Sequence, residues 1–200
     1  MRLLAASTLL LLCSCASRAD LVFLEFPQPD AAMRAVLQNI AVADDRPSQE
    51  FVISGTSGER SAYRPFPDLD AALTLYLAEA LLRDYPEFAA RLPGAAVTLS
   101  ISIRGLSGVR VPDHANPGGS HIRLAYHLVA YAPVGPQKTT DYRWTSEIAA
   151  PRSRELDELG AEIDKSLRDR ARKIVDAFVR DTLPLMPPPD DPAFSEPVTS

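Results

Sequence analysis

Three runs of alternating residues in the second half of the chain constrain its fold more than any other feature. In Val97 to Arg104, Val97, Leu99, Ile101 and Ile103 point one way, while Thr98, Ser100, Ser102 and Arg104 point the other. A two-residue period of this kind marks a strand with one buried face. His121 to Tyr131 repeats the pattern, with Ile122, Leu124, Tyr126 and Leu128 on one side. Asp141 to Ile148 repeats it again, with Tyr142, Trp144 and Ile148 inward. The connections, Val111 to Ser120 and Ala132 to Lys138, are rich in Pro and Gly, which reverse the chain. The expectation is an antiparallel meander with one wet face.

Two helical patterns flank the meander. Over Asp68 to Leu82, Leu69, Leu73, Tyr76, Leu77, Ala80 and Leu81 fall on one face at the 3.6-residue period. Asp68 supplies the N-cap, and Tyr85-Pro86 ends the helix. A further turn is expected over Glu87 to Leu92. Ser153 to Leu183 carries the second stripe, from Leu156 through Ile163, Leu167 and Ile174 to Phe178. Its outer face mixes charges of both signs, as a solvated face does. Gly160 within it should cost about 1 kcal/mol relative to Ala and fray the first turns.

Upstream, Val36 to Asp44 and Phe51 to Ser54 read as short strands, Leu21 to Leu24 as an edge strand, and Gly55 to Tyr63 as a polar loop. The fold class expected is α+β: an antiparallel or mixed sheet of four to five strands with two helices packed on one face.

The first residues read as an address. After Met1-Arg2, Leu3 to Leu12 is apolar apart from Ser7 and Thr8. Ten helical residues reach about 15 Å, half of the roughly 30 Å hydrocarbon core, so the stretch fits a secretory h-region and not a span. Leu12-Cys13-Ser14-Cys15 follows, and both cysteines of the chain lie in it. It resembles the lipobox of bacterial lipoproteins, with Cys15 in register and Cys13 a departure at the second position before cleavage. That resemblance implies a diacylglyceryl thioether on Cys15 and a mature chain beginning there, with no free thiol left. Ala16 after the cysteine implies sorting to the outer membrane, facing the periplasm. The competing reading is a secreted protein cut after Ala19 in the small-x-small sequence Ser17-Arg18-Ala19.

The division expected is therefore residues 1–14 as signal peptide, 15–35 as lipidated Cys15 and tether, 36–183 as the periplasmic domain, and 184–200 as a disordered tail. The tail holds six prolines and cannot build a core.

With this order of elements, the strand end Ile40-Ala41-Val42-Ala43-Asp44-Asp45-Arg46 and the polar loop before the first helix, the chain resembles the YajG-like group of bacterial outer-membrane lipoproteins. The resemblance spans roughly residues 36–183; the Asp-Asp-Arg run matches in part and the proline-rich tail departs from it. It implies the same helix-and-meander fold and no catalytic residues.

Candidate chemistry is sparse. A formal net charge of −5 with no basic block argues against nucleic acid. No GxxxxGK[ST], GxGxxG or G-x-S-x-G occurs, so nucleotide binding and a serine elbow lack support. His121 and His127 share a strand face, but six residues of strand separate them by about 20 Å, too far for one metal ion. Only one of them could meet His114 of the adjoining loop. Asp44 and Arg46 read as a turn pair, and Asp45 points the other way. Tyr126, Tyr131, Tyr142 and Trp144 read as core or cross-strand pairs before a ligand groove.

The reading expected is a non-catalytic, membrane-anchored lipoprotein that binds or scaffolds within the envelope. It needs no cofactor or metal; its partners are the bilayer through acylated Cys15 and envelope proteins. The rivals are an accessory of an envelope lipid or lipopolysaccharide transporter, marked by an apolar cleft between layers, and a secreted enzyme, marked by a cluster of polar groups with perturbed acidities.

Overall fold

The computed structural model describes residues 19–112, 120–131, 139–149 and 154–186. Cys15, Asp113, His114, Ser153 and the tail after Met186 lie outside them.

The elements run β1 (Asp20–Phe23), α1 (Ala31–Leu37), β2 (Ile40–Asp44), β3 (Phe51–Gly55), β4 (Arg60–Phe66), α2 (Leu69–Asp84), α3 (Pro86–Arg91), β5 (Leu99–Pro112), β6 (Ser120–Tyr131), β7 (Thr139–Ala149) and α4 (Glu155–Thr182). The sheet is mixed and has seven strands in the order β1-β4-β3-β5-β6-β7, with β2 also on β5. The expected four to five strands were too few. The pairings β1–β4, β2–β5 and β3–β5 are parallel, so the mixed alternative is the correct one. Among the described residues four α-helices replace the expected two, although α2 and α4 are the long ones.

The meander and the long helices follow their patterns. β6 and β7 pair antiparallel with Tyr126 opposite Trp144, and α2 buries Leu73, Leu77 and Leu81. Leu73, Leu77 and Leu81, with Ile101, Ile103, Leu124, Ile163 and Leu167, fill the space between sheet and helices and are at most 2% exposed. Burying each contributes about 1.5–3 kcal/mol.

The first third differs most. The tether expected over 15–35 is part of the fold from Asp20 onward. β1 lies parallel to β4 with Val22 opposite Pro65 and fully buried. The strand expected over 36–44 begins only at Ile40, because α1 precedes it. Asp30 Oδ1 caps α1 by accepting from Met33 N at 2.8 Å, and Met33 and Val36 pack inward. Asn39 then ends the turn: its side-chain amide donates to Val97 O at 2.8 Å and Ala95 O at 3.2 Å.

The loop expected over 55–63 is largely a hairpin. Gly58 at φ +85° makes the reversal, a conformation glycine adopts without steric cost. β4 returns with Tyr63 and Pro65 buried and Arg60 and Arg64 exposed.

β5 is longer than its alternating core. It serves β2 with one half and β3 with the other, Ile40 opposite Leu99 and Ile53 opposite Gly108. A bulge between Ile103 and Gly105 divides the halves. Before it Leu99, Ile101 and Ile103 face the helices; after it Leu106 and Gly108 are buried and Arg110 is half-buried. An extra residue in one strand reverses the facing of everything downstream.

Candidate functional site

The bulge sets the polar site. It turns Arg110 toward the helix layer, where the start of α4 presents Glu155. Arg110 Nη2 lies 2.5 Å from Glu155 Oε1. Tyr63, brought inward by β4, donates its hydroxyl to the same oxygen at 2.5 Å. Only 15% of the Arg110 side chain and 8% of the Glu155 side chain reach solvent. Burial first, and then the Glu155 hydrogen bond, push the Tyr63 hydroxyl above its usual pKa. These three line a cavity of about 500 Å³, together with Asp20, Glu59, Ser61 and Leu156. The cavity is polar and open, with room for a small hydrogen-bonding ligand. The pair within it binds β5 to α4, and the hydroxyl adds β4.

A second buried cluster fixes the chain after β1. The Tyr76 hydroxyl of α2 lies between Asp164 Oδ1 of α4 and the Glu25 carbonyl, while Glu25 N donates to Asp164 Oδ2 at 2.6 Å. Arg168 stacks over the Tyr76 ring at 4.3 Å and pairs with Glu79. Burial raises the Asp164 carboxyl above its usual range, against the opposing hydrogen bonds from Tyr76 and Glu25. One phenolic proton cannot serve two acceptors, and a protonated Asp164 removes the conflict. Its folded pKa exceeds the unfolded value. The linked stability is therefore fully present below about pH 4 and is lost as pH rises through the folded pKa. Asp164→Asn imitates the protonated form. The unfolding free energy of the wild type relative to D164N should fall on going from roughly pH 3.5 to 7 in urea titrations. A difference that rises with pH contradicts the assignment.

Asp44 and Arg46 form a two-pronged pair, Nε to Oδ1 at 2.8 Å and Nη2 to Oδ2 at 2.7 Å, and Arg46 Nη2 also reaches Gln49 O at 3.1 Å. Asp45 has separate partners, the Ser102 hydroxyl and Arg104 at 3.5 Å. His121 and His127 lie on the open sheet face beside Glu147 at 3.8 Å and Asp141 at 3.0 Å. Among the described residues no three His, Cys, Asp or Glu groups are placed to hold a metal ion. Tyr126 and Trp144 stack across strands at 4.6 Å, and Arg170 covers the indole at 4.4 Å. Tyr131 lies on the opposite face, against Arg104, so the four aromatics do not form one groove. Among the described residues no helix is long and apolar enough to cross a membrane.

The sequence alone assigns no site role to Tyr63, Arg110 or Glu155. The bulge leaves no mark in composition, and Tyr63 stood in an apparent loop.

No family model matches the chain, and no curated protein matches it. Among solved structures it is similar to a minor lipoprotein from Acinetobacter baumannii, at 12% identity and TM-score 0.45 over 70% of this chain and 92% of that one. The rare lipoprotein B from Shewanella oneidensis gives 14% and 0.36 over 68% and 97%. Protein XCC0632 from Xanthomonas campestris gives 15% and 0.49 over 84% and 99%. None of these three reaches a TM-score of 0.5, and none is named as YajG-like.

Proposed function

We propose that this chain is a bacterial lipoprotein, held by acyl chains on Cys15 at the periplasmic face of the outer membrane, whose domain binds envelope partners without catalysing a reaction. The observation that carries the reading is the sequence Leu12-Cys13-Ser14-Cys15 directly after a ten-residue apolar run. Its spacing to the fold supports it: β1 begins at Asp20, which leaves four residues between the acylated sulfur and the first strand. An acyl chain contributes about 0.8 kcal/mol per buried CH₂, and two or three chains hold stably where one does not. Anchoring also raises local concentration, so a surface of modest affinity suffices.

The interior supports a surface role. Among the described residues, the core side chains between sheet and helices are close to fully buried, which speaks against an apolar cleft between the two layers of the kind an interior lipid carrier needs. At the polar cavity, Glu155 Oε1 accepts from both Arg110 and Tyr63, an arrangement that binds β4, β5 and α4 together. The YajG-like resemblance agrees with this reading in architecture.

The test is mass spectrometry of the mature protein together with fractionation of Cys15→Ser. The native chain should begin at Cys15 and carry the mass of diacylglycerol and an amide-linked acyl chain. C15S should move almost entirely to the soluble periplasm. A native chain beginning at Asp20, or C15S that stays with membranes, overturns the anchor.

A further inference from the structure

We propose that the β1–β4 corner of the open sheet face seats on the bilayer to which Cys15 is anchored, so that the domain is held in one orientation and not merely tethered. This rests on the lipoprotein reading above.

The open face is uneven. Toward β6 and β7 it is charged: Arg123 pairs with Glu147 at 3.6 Å and Arg143 with Asp141 at 3.2 Å. At the other end it is apolar. Val22 is buried toward α4, so its neighbours Leu21 and Phe23 face away from the helices. Phe23 stands opposite Phe66 in the parallel ladder, and the two rings meet edge to face at 5.9 Å. Phe23 is 67% exposed and Phe66 56%, the two most exposed large apolar side chains among the described residues. Arg64, exposed and opposite Leu21 on the same face, pairs with Asp68 at 3.3 Å and donates to Gln49 Oε1 at 2.6 Å; on the lipid surface a phosphate would compete with Asp68 for it.

The occupant follows from where the chain leads. Phe23 and Leu21 belong to the first strand, and five residue steps separate Cys15 from Asp20. At about 3.5 Å each, the steps span at most about 17 Å, so acyl chains on Cys15 keep the start of β1 within about two to three headgroup layers of the hydrocarbon, in reach of the bilayer surface. Exposed aromatics such as Phe23 and Phe66, with an arginine beside them, are side chains that settle at that interface. A second copy or another strand could also approach the outer edge of β1, but neither is delivered there by the anchor.

The experiment uses the full acylated chain in vesicles of phosphatidylethanolamine and phosphatidylglycerol with brominated acyl chains. Phe23→Trp places a reporter in the corner, and Phe66→Trp is a second one. The native Trp144, on the far edge strand beneath Arg170, is the internal reference. The corner reporter should lose at least threefold more emission to bromine than Trp144. If both variants float with vesicles and neither reporter is quenched more than Trp144, the seat is overturned and the anchor stands. If the protein does not float, the anchor reading fails and the seat with it. If the reporter is shielded without lipid and the particle mass doubles, the corner is a contact between copies and the proposal is overturned.

Discussion

Gly160→Ala is expected to destabilise the protein by about 3 kcal/mol, although helix propensity alone would make it a gain of about 1 kcal/mol. For a chain of this size that loss corresponds to roughly 6–12 °C in Tm. The reason is a backbone contact. A Cβ at position 160 would lie closer than 3.0 Å to the Phe23 carbonyl oxygen of β1, with Val22 Cγ1 at 3.7 Å behind it. Neither backbone can yield as a flexible side chain would, so either β1 moves off α4 or the start of α4 moves off the sheet. The fraying that the sequence suggested at Gly160 does not follow, since the residue is buried against β1 inside a continuous α4. Thermal unfolding of G160A gives the sign. Amide exchange tells which side moves: Leu24 N, bonded to Phe66 O at 2.8 Å, should lose protection. A G160A protein as stable as the wild type would show that β1 is not docked on α4.

The same glycine shows how far the sequence could be read. Regular periods announced themselves: β6, β7, α2 and α4 were visible because one face of each is apolar over many residues. What stayed hidden depends on contacts distant in sequence. β4 holds two arginines and a proline in seven residues, and it is a strand because β1 and β3 pair with both its edges. α1 is seven residues long, too short to show a period, and it exists by virtue of the Asp30 cap and two buried side chains. The parallel pairings require a crossover that no local pattern encodes. The Asp44–Arg46 pair was legible because it is local. The Tyr63–Arg110–Glu155 cluster was not, because Arg110 turns inward only through the bulge near Gly105.

That cluster carries the second large effect. Glu155→Leu should cost about 3–5 kcal/mol, because it leaves the Arg110 guanidinium largely buried without its carboxylate and takes the acceptor from the Tyr63 hydroxyl. Solvent screening is a small correction here, given that 15% and 8% of the two side chains are exposed. Arg110→Met alone should cost a similar amount through the stranded carboxylate. The double variant should recover most of the loss, since two charges that no longer leave water have no desolvation penalty to offset, and apolar groups of like volume fill the same space. The difference between the summed single effects and the double is the coupling, expected to exceed about 2 kcal/mol. Tyr63→Phe removes one hydrogen bond and should cost about 1 kcal/mol. Urea titration of the four variants completes the cycle. Additive single effects would mean that β5 and α4 are held by the surrounding apolar core, and that the charged pair at the cavity is free to turn toward a ligand.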